Sequence, residues 1–151
     1  MTPCANPASG GAPDITFPAT PDQARAAIMH VVATLSENGL DADQLGEVEL
    51  AVAEVVNNIV EHGYVGLPAG AIRISCENGP TGLRISVLDQ GHCIPGGLPP
   101  GCPPDLDVPQ SDLPEGGFGW LLIRTIATDL SYVRVGNQNR LDMHFPKRAQ
   151  R

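Results

Sequence analysis

The chain has 151 residues, the size of one globular domain, and carries 9 Lys+Arg against 17 Asp+Glu for a net charge of −8. That balance argues against a nucleic-acid binder, which needs clustered cations to neutralise phosphates. Hydrophobic residues make up 42%, enough to bury a core, and no apolar run approaches the ~18 residues of a membrane span.

Residues 1–13 are small, Pro/Gly-rich and nearly uncharged, and read as a flexible N-terminal arm before a single domain over 14–148. The first basic residue is Arg25, so no charged segment opens a secretory signal and a cytoplasmic protein is expected. Cysteines stand at 4, 76, 93 and 102 with no C-x-x-C pair, which predicts reduced thiols rather than a zinc site or a disulfide framework.

Asp14–Ala19 alternates as a short edge strand through Ile15 and Phe17. Thr20-Pro21-Asp22-Gln23 then signals a helix start, with Thr20 as cap, Pro21 at the first position and Gln23 completing a capping box. That helix ends near Asn38-Gly39. A second begins at Asp41 or Asp43 and runs to about His62, with Gly63 as terminator and Leu45, Val48, Val52, Val55, Val56 and Ile59 facing the core. Strands Ala71–Glu77 and Leu83–Asp89 follow, separated by a Gly/Pro turn. Seven of the fifteen prolines lie between Ile94 and Glu115, where neither a helix nor a central strand can form. A third helix starts after Gly119, and strands Leu130–Val135 and Arg140–Phe145 close the chain around Gly136-Asn137. This order predicts an α+β two-layer sandwich.

Three places could carry chemistry. Glu54, Asn58 and His62 recur at i, i+4, i+8 on the second helix, a polar stripe along one face. The stripe is either a solvated face or a site with Glu54 as base and Asn58 offering a carboxamide oxygen to a hard cation. Asp89 ends a strand and is followed by Gly91, so its carboxylate could accept from an exocyclic amine where backbone approaches a ligand closely, although Asp-x-Gly is also an ordinary turn. Gly116-Gly117-Phe118-Gly119-Trp120 opens the third helix and could turn backbone N–H groups toward phosphate oxygens, or serve only as a loop terminus.

Together, Glu54-Val55-Val56-Asn57-Asn58-Ile59-Val60-Glu61-His62-Gly63-Tyr64, Asp89-Gln90-Gly91-His92-Cys93-Ile94 and Gly117-Phe118-Gly119-Trp120 resemble, in order and separation, the asparagine box and two glycine boxes of the GHKL ATPase superfamily. Within it the chain is most similar to the bacterial anti-sigma factor serine/threonine kinases, through Leu113–Gly119 and Leu122-Ile123-Arg124. The resemblance covers about residues 14–146. It implies a Bergerat-type fold, with a mixed, mostly antiparallel sheet, helices on one face, and the proline-rich segment 95–115 as a lid. It implies ATP and Mg²⁺ as cofactors, with Glu54 activating the attacking hydroxyl and Asn58 holding the metal. The nucleotide would meet Asn58, His62, Asp89, Gly91, Cys93, Ile94, Gly117, Gly119, Trp120, Leu121 and Arg124. Implied partners are a sigma factor and the antagonist protein that is phosphorylated on serine or threonine, with no nucleic acid or membrane, and a homodimer as the common state.

The sequence departs from the superfamily pattern at Cys93, which stands where a second glycine is frequent, and at Asp142, where a threonine near the adenine is common. No Lys or Arg falls between Ile85 and Ile123, while Asp105, Asp107, Asp112 and Glu115 do. An acidic lid repels a triphosphate. Two readings therefore stand: an ATP-dependent anti-sigma factor kinase, or a nucleotide-weak module that sequesters a sigma factor or regulator. The catalytic domain of a sensor histidine kinase is a poor third, since the chain leaves no room for a phosphoacceptor domain.

Overall fold

The structure is a computed structural model that describes residues 12–92 and 129–147. The N-terminal residues 1–11, the proline-rich segment, the third helix and the second glycine box lie outside the described residues. So do Cys93, Ile94, Gly117, Gly119, Trp120, Leu121 and Arg124.

Strand β1 (Asp14–Pro18) leads into helix α1 (Pro21–Glu37). The Thr20 hydroxyl accepts from the Gln23 N–H at 3.3 Å. The reciprocal half of the expected capping box does not form, because the Thr20 N–H donates to Pro18 O at 2.8 Å. The helix stops where Asn38 leaves helical geometry and Gly39 takes φ +93°, a conformation that favours glycine. Helix α2 (Ala42–Asn58) starts on Asp41 rather than Asp43: the Asp41 carboxylate accepts from the Gln44 N–H at 2.8 Å.

The buried stripe of α2 is Val48, Ala51, Val52, Val55 and Val56, and it takes Gln44 rather than Leu45, which is half-buried. The Gln44 carboxamide is accommodated because its Nε2 donates to Pro146 O at 2.9 Å. The helix expected to run to His62 changes character at its end, where Ile59–Gly63 form a single π turn.

Strands β2 (Ala71–Gly79), β3 (Gly82–Asp89), β4 (Asp129–Val135) and β5 (Gln138–Pro146) complete a five-stranded sheet in the order β1-β2-β3-β5-β4. All four described pairings are antiparallel, so the mixed character expected of the sheet is absent among the described strands. The two-layer α+β sandwich itself is the observed architecture. Gly136 opens the β4–β5 turn at φ +63° with no left-handed residue after it, the pattern of a II′ hairpin.

Period-two alternation divides the sheet. Ile72, Ile74, Leu83, Ile85, Val87, Leu141, Met143 and Phe145 point to the helices and are buried. Each such side chain contributes about 1.5–3 kcal/mol by leaving water. Cys76 belongs to this core as a free thiol, and burial pushes its pKa up to about 12, as suits an inert thiol. The other face carries charge. There Arg73 pairs with Asp14 at 2.7 Å and holds that carboxyl below its ordinary value, and Asp142 accepts from Ser86 and Arg140.

Candidate functional site

Helix α2 packs its apolar stripe on the sheet and so brings Glu54 and Asn58, one turn apart, to the edge of the core. Glu54 is half-buried and Asn58 is 4% exposed. The Asn58 Nδ2 is fully buried and has no hydrogen-bond partner among the described residues. A buried polar atom left unpaired costs roughly 1–3 kcal/mol, so this position is costly to the protein in the absence of a partner. His62 does not continue the stripe at α-helical spacing. It sits inside the π turn, whose i→i+5 bonding takes it out of the i, i+4 register, and its Nε2 lies 3.6 Å from Glu61.

The π turn delivers Gly63, Tyr64 and Val65 to the loop that follows Asp89, and the two segments are stitched together. The Tyr64 hydroxyl donates to Ala71 O at 2.7 Å and accepts from the Gln90 N–H at 2.9 Å. The His92 N–H donates to Gly63 O at 2.6 Å. His92 Nε2 lies 2.8 Å from Val65 O, and because a carbonyl only accepts, that nitrogen carries the proton.

Gly91 is required by the packing of the chain on itself. A Cβ there would collide with the Gly63 carbonyl oxygen and stand 2.6 Å from its carbon, so only glycine lets the two backbones meet. Gly91→Ala is accordingly expected to lower stability by about 1–3 kcal/mol through overpacking. Denaturant unfolding checks this, and an unchanged midpoint would remove the packing role.

Asp89, 4% exposed at the end of β3, is the acidic centre of this cradle. Its Oδ1 accepts from the Gly91 N–H at 2.8 Å and from Asn139 Nδ2 at 2.9 Å. Oδ2 takes no hydrogen bond among the described residues. Burial pushes the carboxyl above its ordinary value, and the Asn139 bond, the Gly91 N–H and the Arg134 charge pull against that rise.

Asn139 and Arg134 are the residues that sequence reasoning missed. Asn139 pairs with Asp89 across β3 and β5 and is fully buried. Its Nδ2 also donates to Gly91 O at 2.9 Å and His92 O at 3.2 Å, while its Oδ1 accepts from Arg134 Nη1 at 2.8 Å. Arg134 Nη1 reaches Gly91 O as well, at 2.7 Å. The available signal was a polar residue in phase with Leu141, Met143 and Phe145. Asp142, the departure from the superfamily pattern where a threonine is common, lies on the opposite face of the sheet, opposite Ser86 and away from Asp89.

The donor set fits a magnesium-nucleotide site in kind. Among the described residues Asp89 keeps one carboxylate oxygen without a hydrogen bond, and Asn58 offers a buried carboxamide with an unpaired Nδ2 donor for a phosphate oxygen and an Oδ1 of the type that ligates a hard cation. Among the described residues no group of three or more His, Cys, Asp or Glu could hold a metal ion alone. A hard cation here would complete its shell with water and phosphate oxygens, the usual habit of Mg²⁺. A separate open groove of about 970 Å³ lies at the far end of the domain, framed by Asp41, Asp43, Asn78, Gly79 and Lys147. It shares no residue with the cradle. Volume alone favours the groove, but the perturbed carboxyl, the orphaned amide and the stitched glycine loop all favour the cradle.

Residues 17–145 match the family described as histidine kinase-like ATPase domain. The chain is 30% identical over 102 residues to an anti-sigma F factor from Clostridium beijerinckii, covering 68% of each. It is 26% identical over 130 residues to a serine-protein kinase RsbW from Oceanobacillus iheyensis, covering 83% of this chain and 78% of that one. A crystal structure of RsbU and RsbW domains from Mycobacterium tuberculosis superposes with a TM-score of 0.59 at 19% identity, covering 92% of this chain and 34% of that one. A histidine kinase domain from Erythrobacter litoralis gives 0.53 at 20% identity, over 85% of this chain and 64% of that one. No described helix is long and apolar enough to cross a membrane.

Proposed function

The chain belongs to the histidine kinase-like ATPase domain family, and on that premise we propose that it is an anti-sigma factor with ATP-dependent protein serine/threonine kinase activity, phosphorylating an antagonist protein in a partner-switching system. Support comes from the two kinds of relative it matches, an anti-sigma F factor and a serine-protein kinase. The single observation that supports a nucleotide site in this chain is the buried carboxamide of Asn58, whose Nδ2 donor has no acceptor among the described residues. An unpaired N–H donor calls for an acceptor such as a phosphate oxygen, and the oxygen of the same amide is the atom that could face a hard cation.

In this reading Asp89 accepts from the exocyclic amine of the adenine through the oxygen that Asn139 and Gly91 leave free. Asn58 would hold Mg²⁺, which when bound spreads the negative charge of the triphosphate. Glu54, one turn upstream, accepts the proton of the antagonist's serine or threonine hydroxyl at its carboxylate. His62 and Gly91 border the nucleotide, and Cys93, Ile94, Gly117, Gly119, Trp120, Leu121 and Arg124 complete its contacts. The protein acts in the cytoplasm as a homodimer, and holds a sigma factor until the antagonist competes for it.

The test is a calorimetric titration of MgATP into the wild type and into Asn58→Ala. The wild type is expected to bind saturably, and the variant to lose at least about tenfold in affinity, the effect of one charge-assisted contact. The unliganded variant should melt no lower than about 1 kcal/mol below the wild type, since it loses an unpaired group rather than a satisfied one. One feature favours the alternative of a nucleotide-weak, partner-sequestering module: the lack of Lys or Arg between Ile85 and Ile123. Absence of wild-type binding up to millimolar MgATP would decide for it.

A further inference from the structure

We propose that Arg134, acting through Asn139, is a positioning residue of the nucleotide site: it fixes the orientation of the Asn139 carboxamide, which fixes one oxygen of Asp89 and presents the other to the base. The inference rests on the ATP-binding reading above and adds to it a residue that touches no nucleotide.

A carboxamide is close to symmetric in shape, and only its hydrogen bonds decide which end faces which way. Around Asn139 the environment is sharply polarised. On one side stand three acceptors, Asp89 Oδ1 and the carbonyls of Gly91 and His92. On the other stands Arg134 Nη1, which can only donate. The observed orientation aims the two N–H bonds of the amide at these three acceptors, one hydrogen being shared, and its oxygen at the guanidinium. A flipped one would set the amide oxygen against three acceptors and the NH₂ group against a guanidinium.

Arg134 also closes the arrangement from outside. The same Nη1 that holds Asn139 donates to Gly91 O, so the cation pins the loop and the amide together. Arg134 and Asn139 are cross-strand partners at the β4–β5 hairpin, and a rigid two-strand element carries the tie. Without Arg134, the buried Asn139 Oδ1 has no donor, and the amide is free to turn its oxygen toward Asp89. The carboxylate would then rotate, or take up a proton, and its free oxygen would no longer be a fixed acceptor.

The consequence is selective. A fixed carboxylate acceptor favours a 6-amino purine and repels a 6-oxo purine, so loss of the tie should erode that discrimination before it erodes triphosphate binding. The experiment is calorimetric titration of MgATP and of magnesium inosine triphosphate into the wild type, Arg134→Met and Arg134→Gln, with thermal melts beside them. Arg134→Gln supplies the comparison should Arg134→Met fail to fold. The expected result is a fall of about tenfold or more in ATP affinity, the scale of one hydrogen bond to a charged group, with inosine triphosphate affinity changing less than about twofold. In an Asp89→Asn background the Arg134 substitutions should change the ratio no further. Equal weakening of both nucleotides, or an unchanged ratio, would reduce Arg134 to a structural residue and overturn the inference alone. A wild type that binds neither nucleotide would overturn the ATP-binding reading and this inference with it.

Discussion

Glu54→Gln is expected to slow phosphoryl transfer to the antagonist by about 10²–10⁴-fold, the usual contribution of a positioned general base, while MgATP affinity stays within about twofold. The substitution keeps shape and hydrogen-bonding reach but replaces the basic carboxylate with an amide that does not take up a proton. Glu54 lies half-buried at the mouth of the core, one helical turn before Asn58. The two residues share one face of α2, so under the proposed reading a hydroxyl that approaches Asn58 also approaches Glu54. Single-turnover transfer from radiolabelled ATP measures the chemical step, and calorimetry measures binding separately. Equal transfer rates in the two proteins would remove Glu54 as the base. The contrast with Asn58→Ala is informative, since that change should act on binding and Glu54→Gln on the step after it.

Much of this site is legible in the sequence because its residues are local. The spacing Glu54–Asn58 lies within one helix, and Asp89-Gln90-Gly91 is a strand end followed by a turn, so each could be read without knowing the fold. The supports are not local. Gly91 is required because the backbone of Gly63, 28 positions earlier, passes against it. No spacing rule reports such a contact.

Asn139 shows a different limit. It stands in a strand that alternates correctly, Asn139, Leu141, Met143 and Phe145 facing the helices, and a strand assignment is content with that. The register then decides chemistry. Asp142 is three residues away, an odd number, and therefore faces the opposite side of the sheet. The departure from the superfamily pattern at Asp142 thus falls on the face away from Asp89. The π turn was equally invisible, since Val60-Glu61-His62 has ordinary helical composition and the widening comes from how the chain leaves α2 toward Tyr64.

Asn139→Leu is expected to destabilise the domain by at least about 3 kcal/mol, because it strands several buried groups at roughly 1–3 kcal/mol each, more for a charged one. Leucine is close in volume, so packing changes little, and the effect comes from what is stranded. Asp89 Oδ1 loses a donor, the Gly91 and His92 carbonyls each lose one, and the Arg134 guanidinium loses an acceptor, all in or beside the core. A loss of that size is a large part of the roughly 5–15 kcal/mol that holds a domain folded, and denaturant unfolding would show it directly. The deficit should depend on pH with a definite sign. Burial already raises the Asp89 carboxyl above its ordinary value, and the Asn139 bond is the largest influence pulling it back. Removing Asn139 raises the folded-state pKa further, so the variant pays for the ionised carboxylate at neutral pH. Once both folded and unfolded forms are protonated, that part of the deficit vanishes. Unfolding free energies at pH 7 and near pH 4, close to the ordinary Asp range, should therefore differ less between variant and wild type at the acid end. A deficit that stayed constant across that range would assign the loss to the Gly91 and His92 carbonyls alone, and would separate Asn139 from the charge state of Asp89.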